Sequence, residues 1–423
     1  MNASKEPNKE EKGIANGQKE KGTANGQQFS VPVDFPNHPG GQDTLNAARD
    51  HSHKDFLFLT SHFGRDLDGR ITQAAKSRGI TLPQRGPAYN EIHAALCRII
   101  QEHPEQVMIY RAWCLFLTVL FPTSLIAFIM TGSHVWAVTW GLVFVSYGFN
   151  IFHMRNHLGG KVYGIGWLDQ LTEPIYDFMD RTYAIRPENW RKNHNEGHHL
   201  VTNDPIRDHD IYSTVGVGFR LHPDLPHSPI HRFQPLYIPL LLILNGLTFP
   251  FDNILKHGGH PVYFMIYWLT MFILPTYFNG FDALKTILTV IVVAGTLNSY
   301  IIQVTHNHGD LASFCDTANR PLVDSMGRPK NIDDFMQLQM NESMNWGGYF
   351  SCLLFGGNNY QIEHHVAPSV PSPLLYHYLS PVLREMAQRR GWSYVSEPDF
   401  ASAVATYHKH LFEMSLPPSK KSE

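Results

Sequence analysis

Three groups of histidines in this sequence have the spacing of metal ligands. In chain order they are His153-Met-Arg-Asn-His157, His194-Asn-Glu-Gly-His198-His199 and Gln361-Ile-Glu-His364-His365. Histidines four residues apart lie on one face of a helix, so the first two groups can each direct two imidazoles at one point. Neutral imidazole binds iron, copper, zinc and nickel, and no cysteine lies within any group, which argues against thiolate chemistry. The sequence therefore predicts a histidine-rich metal site, and iron is the metal that we expect.

The three groups together resemble the histidine boxes of the membrane fatty acid desaturase and hydroxylase superfamily. That signature consists of two HxxxH or HxxHH boxes followed by a distant HxxHH or QxxHH box, and the resemblance extends over about residues 112 to 415. Gln361 replaces the first histidine of the last box, and Val366-Ala-Pro-Ser-Val-Pro371 comes after it. Both features are similar to front-end acyl desaturases, which are fused to an N-terminal cytochrome b5.

The resemblance implies a site with two non-haem iron ions held by eight histidines. These are His153, His157, His194, His198, His199, His306, His364 and His365. His306 is the extra ligand that the family takes from the segment just after the last membrane span, and His308 is a weaker candidate. Gln361 is a poorer ligand than histidine. Carboxylates normally orient metal-bound imidazoles, and four stand close in sequence, with solvated surface as the alternative for each: Glu196, Asp204, Asp208 and Glu363.

The activity implied by the resemblance is desaturation of a fatty acyl lipid or acyl-CoA with dioxygen and with electrons from cytochrome b5 and its reductase. Side chains alone cannot remove hydrogen from an unactivated methylene, so an oxygen-activating metal is required. Two alternatives stay open: a fatty acyl or sphingoid hydroxylase on the same scaffold, and a membrane binding or regulatory protein whose iron site has lapsed. Two departures from the commonest family form leave the choice between desaturase and hydroxylase open. The second group has three residues rather than two before the His198-His199 pair, and Met-Arg-Asn separates the histidines of the first group.

Four apolar segments that are long enough to cross a bilayer would position these histidines. They are residues 112–130, 135–152, 262–278 and 284–304. Short polar linkers, Thr131-Gly-Ser-His134 and Asn279-Gly-Phe-Asp282, separate the members of each pair. The predicted fold class is an all-α integral membrane protein with two transmembrane helical hairpins and a cytosolic helical cap that holds the histidine-rich di-metal site. The alternative is that these segments are buried helices of a soluble core.

Charge and topology agree with a cytosolic site. A cytosolic N-terminus places all three histidine groups on the cytosolic face, together with nearly all lysines and arginines, as the positive-inside rule requires. The apolar stretch 235–251 is short for a span, and a fifth crossing would separate His153 from His364, so we expect it to be re-entrant or interfacial. The endoplasmic reticulum is the expected membrane.

Composition excludes some other functions. The 423 residues carry a net charge of -3, which gives no electrostatic case for nucleic acid. The four cysteines, Cys97, Cys114, Cys315 and Cys352, form no CxxC pair, so no disulfide framework is expected. The polar start of the chain lacks the apolar stretch of a cleavable signal peptide.

The N-terminal region resembles part of an electron carrier. Residues 1–28 contain an imperfect polar repeat and are predicted to be disordered. The motif His38-Pro-Gly-Gly41 resembles the haem-binding motif of cytochrome b5, and His62 stands at the position of that family's second haem ligand. The segment before the motif is too short to form the floor of the haem pocket. We therefore predict that residues 29–90 are a truncated cytochrome b5-like segment, with haem b as a candidate cofactor, and that the chain depends on a separate cytochrome b5.

Helical periodicity divides the rest of the chain. Residues 91–111 are predicted to form an interfacial amphipathic helix, with Ile92 and Leu96 on its apolar face. The resemblance implies that residues 112–423 form the membrane fatty acid desaturase domain. Near its end, apolar residues at helical spacing between Leu374 and Met386 predict a helix that stops at Gly391, and a second helix is expected after Pro398.

Overall fold

The computed structural model describes residues 87–157, 161–184, 186–199, 202–204, 208, 219–223, 225–257, 260–313, 323–324 and 334–417, and the backbone of residues 23–24 and 27–28. Two compact units divide the chain, Met1–Val33 and Asp34–Glu423. In the first unit, the described residues form two antiparallel strands, β1 (Thr23–Ala24) and β2 (Gln27–Gln28). The predicted haem ligands His38 and His62 lie outside the described residues.

The described part of the second unit is predominantly helical, as the sequence predicts. Its helices up to the last apolar segment are α1 (Ala88–Glu102), α2 (Pro104–Thr131), α3 (His134–Tyr147), α4 (Met154–His157), α5 (Gly166–Arg181), α6 (Pro187–Asn193), α7 (Gln234–His257), α8 (Pro261–Trp268), α9 (Leu274–Asn279) and α10 (Ala283–His306). The later helices are α11 (Phe335–Asn341), α12 (Tyr349–Leu354), α13 (Gln361–Val366), α14 (Tyr376–Arg390) and α15 (Phe400–Ser415). The described residues also include two short strand pairs that the all-α prediction did not contain, β3 (Ala312–Ser313) with β4 (Val323–Asp324) and β5 (Met344–Trp346) with β6 (Val395–Glu397).

Three helical segments are long and apolar enough to cross a membrane. They are Pro104–Thr131, His134–His157 and Pro261–His306. The last has 46 residues, so as one straight helix it would be about 69 Å long, more than twice the hydrocarbon thickness of a bilayer. A 3-10 turn at Gly280–Asp282 divides it, and Gly280 adopts φ +64°, a conformation that favours glycine. The four predicted apolar segments all lie within these helices.

The predicted amphipathic helix 91–111 is divided in two. His103 leaves the helical conformation at φ -127° and ψ 52°, and Pro104 then begins α2, because proline has no N–H to donate and suits the first position of a helix. The apolar face of α1, which includes Ile92 and Leu96, is buried in the protein core. Glu91 of this helix accepts hydrogen bonds from Arg389 and Arg390 at the end of α14. We therefore find α1 packed on the protein through its apolar face.

Helix α7 contains the stretch for which a re-entrant or interfacial segment was expected. Its contacts pair Leu242 and Asn245 with Ser299, and Gly246 with Gly295, so α7 runs antiparallel to α10. A Cβ at Gly295 would lie 2.2 Å from the carbonyl oxygen of Ile243, which shows that the two backbones touch. This crossing fixes the helix that ends at His306.

The C-terminal part of the chain, which contains the third histidine group, consists of helices and one strand pair followed by a last helix. The parallel pair of β5 and β6 joins residues before and after α14. Helix α14 ends at Gly391, which has φ +67°, and α15 begins after Asp399, whose side chain accepts a hydrogen bond from the Ser402 N–H. Both predicted C-terminal helices are confirmed.

Candidate metal centre

The first histidine group lies where α3 changes helix type. A π-helical turn, Gly148–His153, leads from α3 into α4, and such a turn adds one residue and rotates the next part of the helix by about 100°. The side chain of Asn150 holds the turn by donating to the carbonyl oxygens of Leu353 and Leu354 at 3.1 and 3.0 Å. His153 and His157 are both buried at its end.

The second histidine group also occupies a π-helical turn, His194–His198, directly after α6. The indole of Trp190 stacks on the imidazole of His194 with ring centroids 4.2 Å apart and lies edge-on to His153 and His157. Trp190 precedes His194 by four residues, so helical spacing could have revealed this contact, although it was not among the residues predicted from the sequence.

The third histidine group lies on α13, in which every residue is buried. Asn345 of β5 accepts a hydrogen bond from the Ile362 N–H at 3.0 Å and donates one to Glu363 at 2.7 Å. The hydroxyl of Tyr394 donates to the other carboxylate oxygen of Glu363, also at 2.7 Å. Burial raises the pKa of Glu363 to about 7. Glu363 therefore anchors the helix that carries His364 and His365.

The histidines of the three groups, together with His306, form two clusters. The first consists of His153, His157, His194 and His364, and the second consists of His198, His306 and His365. Within each cluster one nitrogen per residue lies within 4.8 Å of the others. His199 lies between the clusters, with its ring centroid 4.8 Å from that of His194 and 4.5 Å from that of His365. The structure thus brings together all eight histidines that the sequence predicts as ligands.

The clusters have the chemistry of a metal site. Burial, followed by the neighbouring imidazoles, lowers the pKa of His199, His364 and His365 well below its usual value, so these rings are neutral. Both ring nitrogens of His157 and of His365 are buried without a hydrogen-bond partner among the described residues. Leaving such groups unsatisfied is costly, and a bound cation would take one nitrogen of each ring as a ligand.

Distances between ring nitrogens also agree with metal binding by the clusters. The Nε2 atoms of His153 and His194 are 3.1 Å apart, and those of His194 and His199 are 3.2 Å apart. Nitrogens that bind one ion at about 2.1 Å lie about 3 Å from each other. The residues present therefore fit two metal ions held mainly by imidazole.

A carboxylate and an amide contact the second cluster. Asp208 Oδ2 lies 2.9 Å from Nδ1 of His198 and also accepts a hydrogen bond from the Asn203 N–H at 2.8 Å. Such a carboxylate fixes the tautomer of a histidine and leaves Nε2 for a metal. The side-chain nitrogen of Gln361 lies 3.0 Å from Nε2 of His306.

The other three carboxylates and His308 were also predicted close to the site. Glu363 contacts Asn345 and Tyr394 rather than a cluster histidine, while Asp204 is buried and the side chain of Glu196 lies outside the described residues. His308 belongs to neither cluster, and its Nδ1 accepts a hydrogen bond from the Asp310 N–H.

Comparisons with known proteins agree with this geometry. The fatty acid desaturase family model matches residues 177–398, a region that contains the second and third histidine groups. The chain is 26% identical to an acyl-lipid (7-3)-desaturase of Rebecca salina, over 68% of this chain and 65% of that protein. It is 27% identical to the Delta(5) fatty acid desaturase A of Dictyostelium discoideum, over 54% of this chain and 53% of that protein.

A longer alignment covers most of both sequences. The acyl-lipid (8-3)-desaturase B of Dictyostelium discoideum is 23% identical over 92% of this chain and 90% of its own length. The first two relatives are matched over only 65% and 53% of their lengths, so their names describe proteins of which this chain spans one half to two thirds. With the family model covering more than half of the sequence and two histidine groups inside the match, the chain belongs to the fatty acid desaturase family.

Proposed function

We propose that this protein is an integral membrane, oxygen-dependent acyl desaturase whose metal centre holds two iron ions. The observation that carries the proposal is the convergence of buried imidazoles in two clusters, where both ring nitrogens of His157 and of His365 have no hydrogen-bond partner among the described residues. Iron bound there would supply the activation of dioxygen that cleavage of an unactivated C–H bond requires.

The residues of the chain have separate tasks in this proposal. Seven imidazoles act as neutral ligands in the two clusters, and His199 lies between them as the eighth. Asp208 holds His198 with its Nε2 available for the second cluster. Burial of the whole set excludes water from the place where the acyl chain reacts.

The proposed substrate is a fatty acyl chain carried on a lipid, in a reaction of the front-end type. The names of two relatives, an acyl-lipid (7-3)-desaturase and an acyl-lipid (8-3)-desaturase, support this class over acyl-CoA. Two adjacent methylenes each lose one hydrogen and form a double bond. One dioxygen is reduced to two waters with two further electrons and two protons, and the proposed electron donor is a separate cytochrome b5 with its reductase.

The proposed topology consists of two helical hairpins with the metal centre on the cytosolic face of the endoplasmic reticulum. Support comes from the side chain of Asn279, which donates to the carbonyl oxygen of Ile129 at 2.7 Å, so the turns after α2 and α9 lie at the same end of the bundle. The histidine-bearing ends of α4 and α10 lie at the other end. Apolar side chains such as Val119 and Ile126 are exposed on the outer face of α2, where lipid would contact them.

Expression of the full chain in a desaturase-deficient yeast tests the proposal. We expect a new double bond in membrane lipids, located by mass spectrometry, and about two irons per purified chain. His157→Ala and His365→Ala should lose both the product and iron, whereas His134→Ala, at an exposed histidine, should keep both. A hydroxylated product would support the hydroxylase alternative, and a folded protein without iron would support the binding-protein alternative. Activity of a zinc-loaded, iron-free protein would overturn the proposal.

The N-terminal prediction has its own test. If residues 29–90 do not hold haem, the purified protein should lack a bis-histidine haem spectrum, and activity should require added cytochrome b5. A spectrum at one haem per chain that is lost with activity in His38→Ala would show that the truncated segment carries electrons itself.

A further inference from the structure

Two residues between His153 and His157 of the first histidine group are buried and lie on other sides of the helix than these two histidines. Arg155 and Asn156 are 7% and 2% exposed, although arginine is rarely buried without a partner. On a helix they point to other sides than His153 and His157, which are four residues apart. Their contacts show which parts of the protein the first histidine group is attached to.

Arg155 attaches the first group to α5. Its Nη1 donates to Asp180 at 2.6 Å, and its Nη2 donates to Glu173 at 2.5 Å. Asp180 is itself buried and accepts a further hydrogen bond from the hydroxyl of Tyr147 at 2.9 Å. The planar guanidinium fork fits its two carboxylates in one orientation, and a buried charge that lost its partner would be costly, so α4 has little freedom to rotate.

Asn156 attaches the first group to the second. Its side-chain oxygen accepts a hydrogen bond from Arg191 at 3.0 Å, and its backbone oxygen accepts one from Asn195 at 3.2 Å. Arg191 lies on α6, and Asn195 comes directly after His194 within the π-helical turn. The link therefore joins the two segments that supply His153 and His194 to the same cluster.

We propose that Arg155 and Asn156 are positioning residues that set the relative orientation of the first two histidine groups around one metal ion. Arg155 fixes α4 against α5, and Asn156 fixes it against the turn that carries His194. The 3.1 Å separation of the His153 and His194 Nε2 atoms is the quantity that they maintain. This inference rests on the proposed function, because it requires that the first cluster binds metal.

The test uses the full-length chain in lipid nanodiscs and cobalt(II) as the probe ion. Variants are Arg155→Met, Arg155→Lys, Asp180→Asn and Asn156→Ala. The matched control is Asp177→Asn, which removes the partner of Arg181 in an exposed ion pair on the same helix as Asp180. Iron content, cobalt affinity and the visible absorption of bound cobalt, which reports its ligand geometry, are measured for each variant.

We expect Arg155→Met and Asn156→Ala to weaken cobalt binding by about 10- to 100-fold, which is typical for the loss of a group that orients a metal ligand. The absorption of the remaining bound cobalt should change. Arg155→Lys keeps the charge but not the two-point fork, so it should recover part of the affinity and retain an altered spectrum. The control should match the wild type in every measurement.

Where Arg155→Met does not fold, the double variant Arg155→Met with Asp180→Asn removes both buried charges and keeps an acceptor for Tyr147, so we expect it to fold. It should still show the altered spectrum, because the attachment to α5 is lost. A double variant with wild-type affinity and spectrum, or an Asn156→Ala variant that equals the control, would overturn the positioning role. A wild-type protein that takes up neither iron nor cobalt would instead overturn the proposed metal centre.

Discussion

Alanine at position 295 would force apart two helices whose backbones are in contact. The Cβ would lie 2.2 Å from the Ile243 carbonyl oxygen and 2.6 Å from the backbone nitrogen of Gly246. Non-bonded atoms of this kind normally approach to about 3.5 Å, so α7 and α10 must separate by roughly 1 Å. Neither obstructing atom belongs to a side chain that could rotate away.

The free energy of unfolding should fall by about 1–3 kcal/mol. Overpacking of this kind costs about 1–3 kcal/mol. The same separation lengthens the 2.8 Å hydrogen bond from Asn245 to Ser299, which is worth about 0.5–1.5 kcal/mol. The higher helix propensity of alanine relative to glycine offsets up to about 1 kcal/mol of this loss in the free energy of unfolding. Gly246→Ala requires a similar separation, since its Cβ would lie 2.5 Å from the Ile291 carbonyl oxygen.

The measurement is the SDS-induced unfolding midpoint of the purified protein in mixed micelles, followed by tryptophan fluorescence. Gly166→Ala is the matched control, because nothing lies within 4 Å of a Cβ at that position. The double variant Gly246→Ala with Gly295→Ala should lose less stability than the sum of the two single variants, since one separation relieves both overlaps. A Gly295→Ala midpoint equal to that of the control, or strict additivity of the two alanines, would refute the close crossing.

Three further predictions concern single side chains. Asp208→Ala should weaken metal binding by about 10- to 100-fold in a competition titration, because His198 loses the carboxylate that orients it; equal affinity would contradict this role. Burial lowers the pKa of His410 to about 4. The stabilisation by its neutral ring is therefore complete above pH 6.5 and is lost as the pH falls towards 4, because the unfolded chain takes up a proton first. In the His410→Gln variant, the free energy of unfolding should therefore fall by roughly 3 kcal/mol less between pH 6.5 and pH 4 than in the wild type. An equal fall in both proteins, measured by unfolding at a series of pH values, would contradict this prediction. Burial raises the pKa of the Cys352 thiol well above its usual value, so peptide mapping should find it unlabelled by maleimide until the protein unfolds, whereas labelling of the native protein would contradict its placement.

The sequence was most informative where chemistry restricts the residue type. Histidine spacing located the first two groups, and the resemblance added His306, which no local pattern would have selected. The apolar segments predicted the long helices because a bilayer imposes both a length and a composition. These signals depend on residues within one turn of helix or within one continuous stretch.

Features that arise between distant segments could not be predicted in this way. The π-helical turn before His153 depends on Asn150 bonding to the carbonyl oxygens of residues 353 and 354. The partners of Arg155 on α5 are likewise invisible in the spacing of the box, where the arginine was only a departure from the common form. The apolar face of α1 was a correct observation, but a hydrophobic face does not specify whether lipid or protein covers it.

The attachment of α13 determines when, during synthesis of the chain, the histidine clusters can be completed. Glu363 depends on Tyr394, which lies 31 positions later, and β5 depends on a strand that comes after α14. During synthesis, the first two histidine groups and His306 leave the ribosome well before the segment that holds His364 and His365 in place. We therefore expect that, in the proposed metal centre, all eight histidines are in place only after residues near 397 have emerged, so that metal binding is a late step in biogenesis.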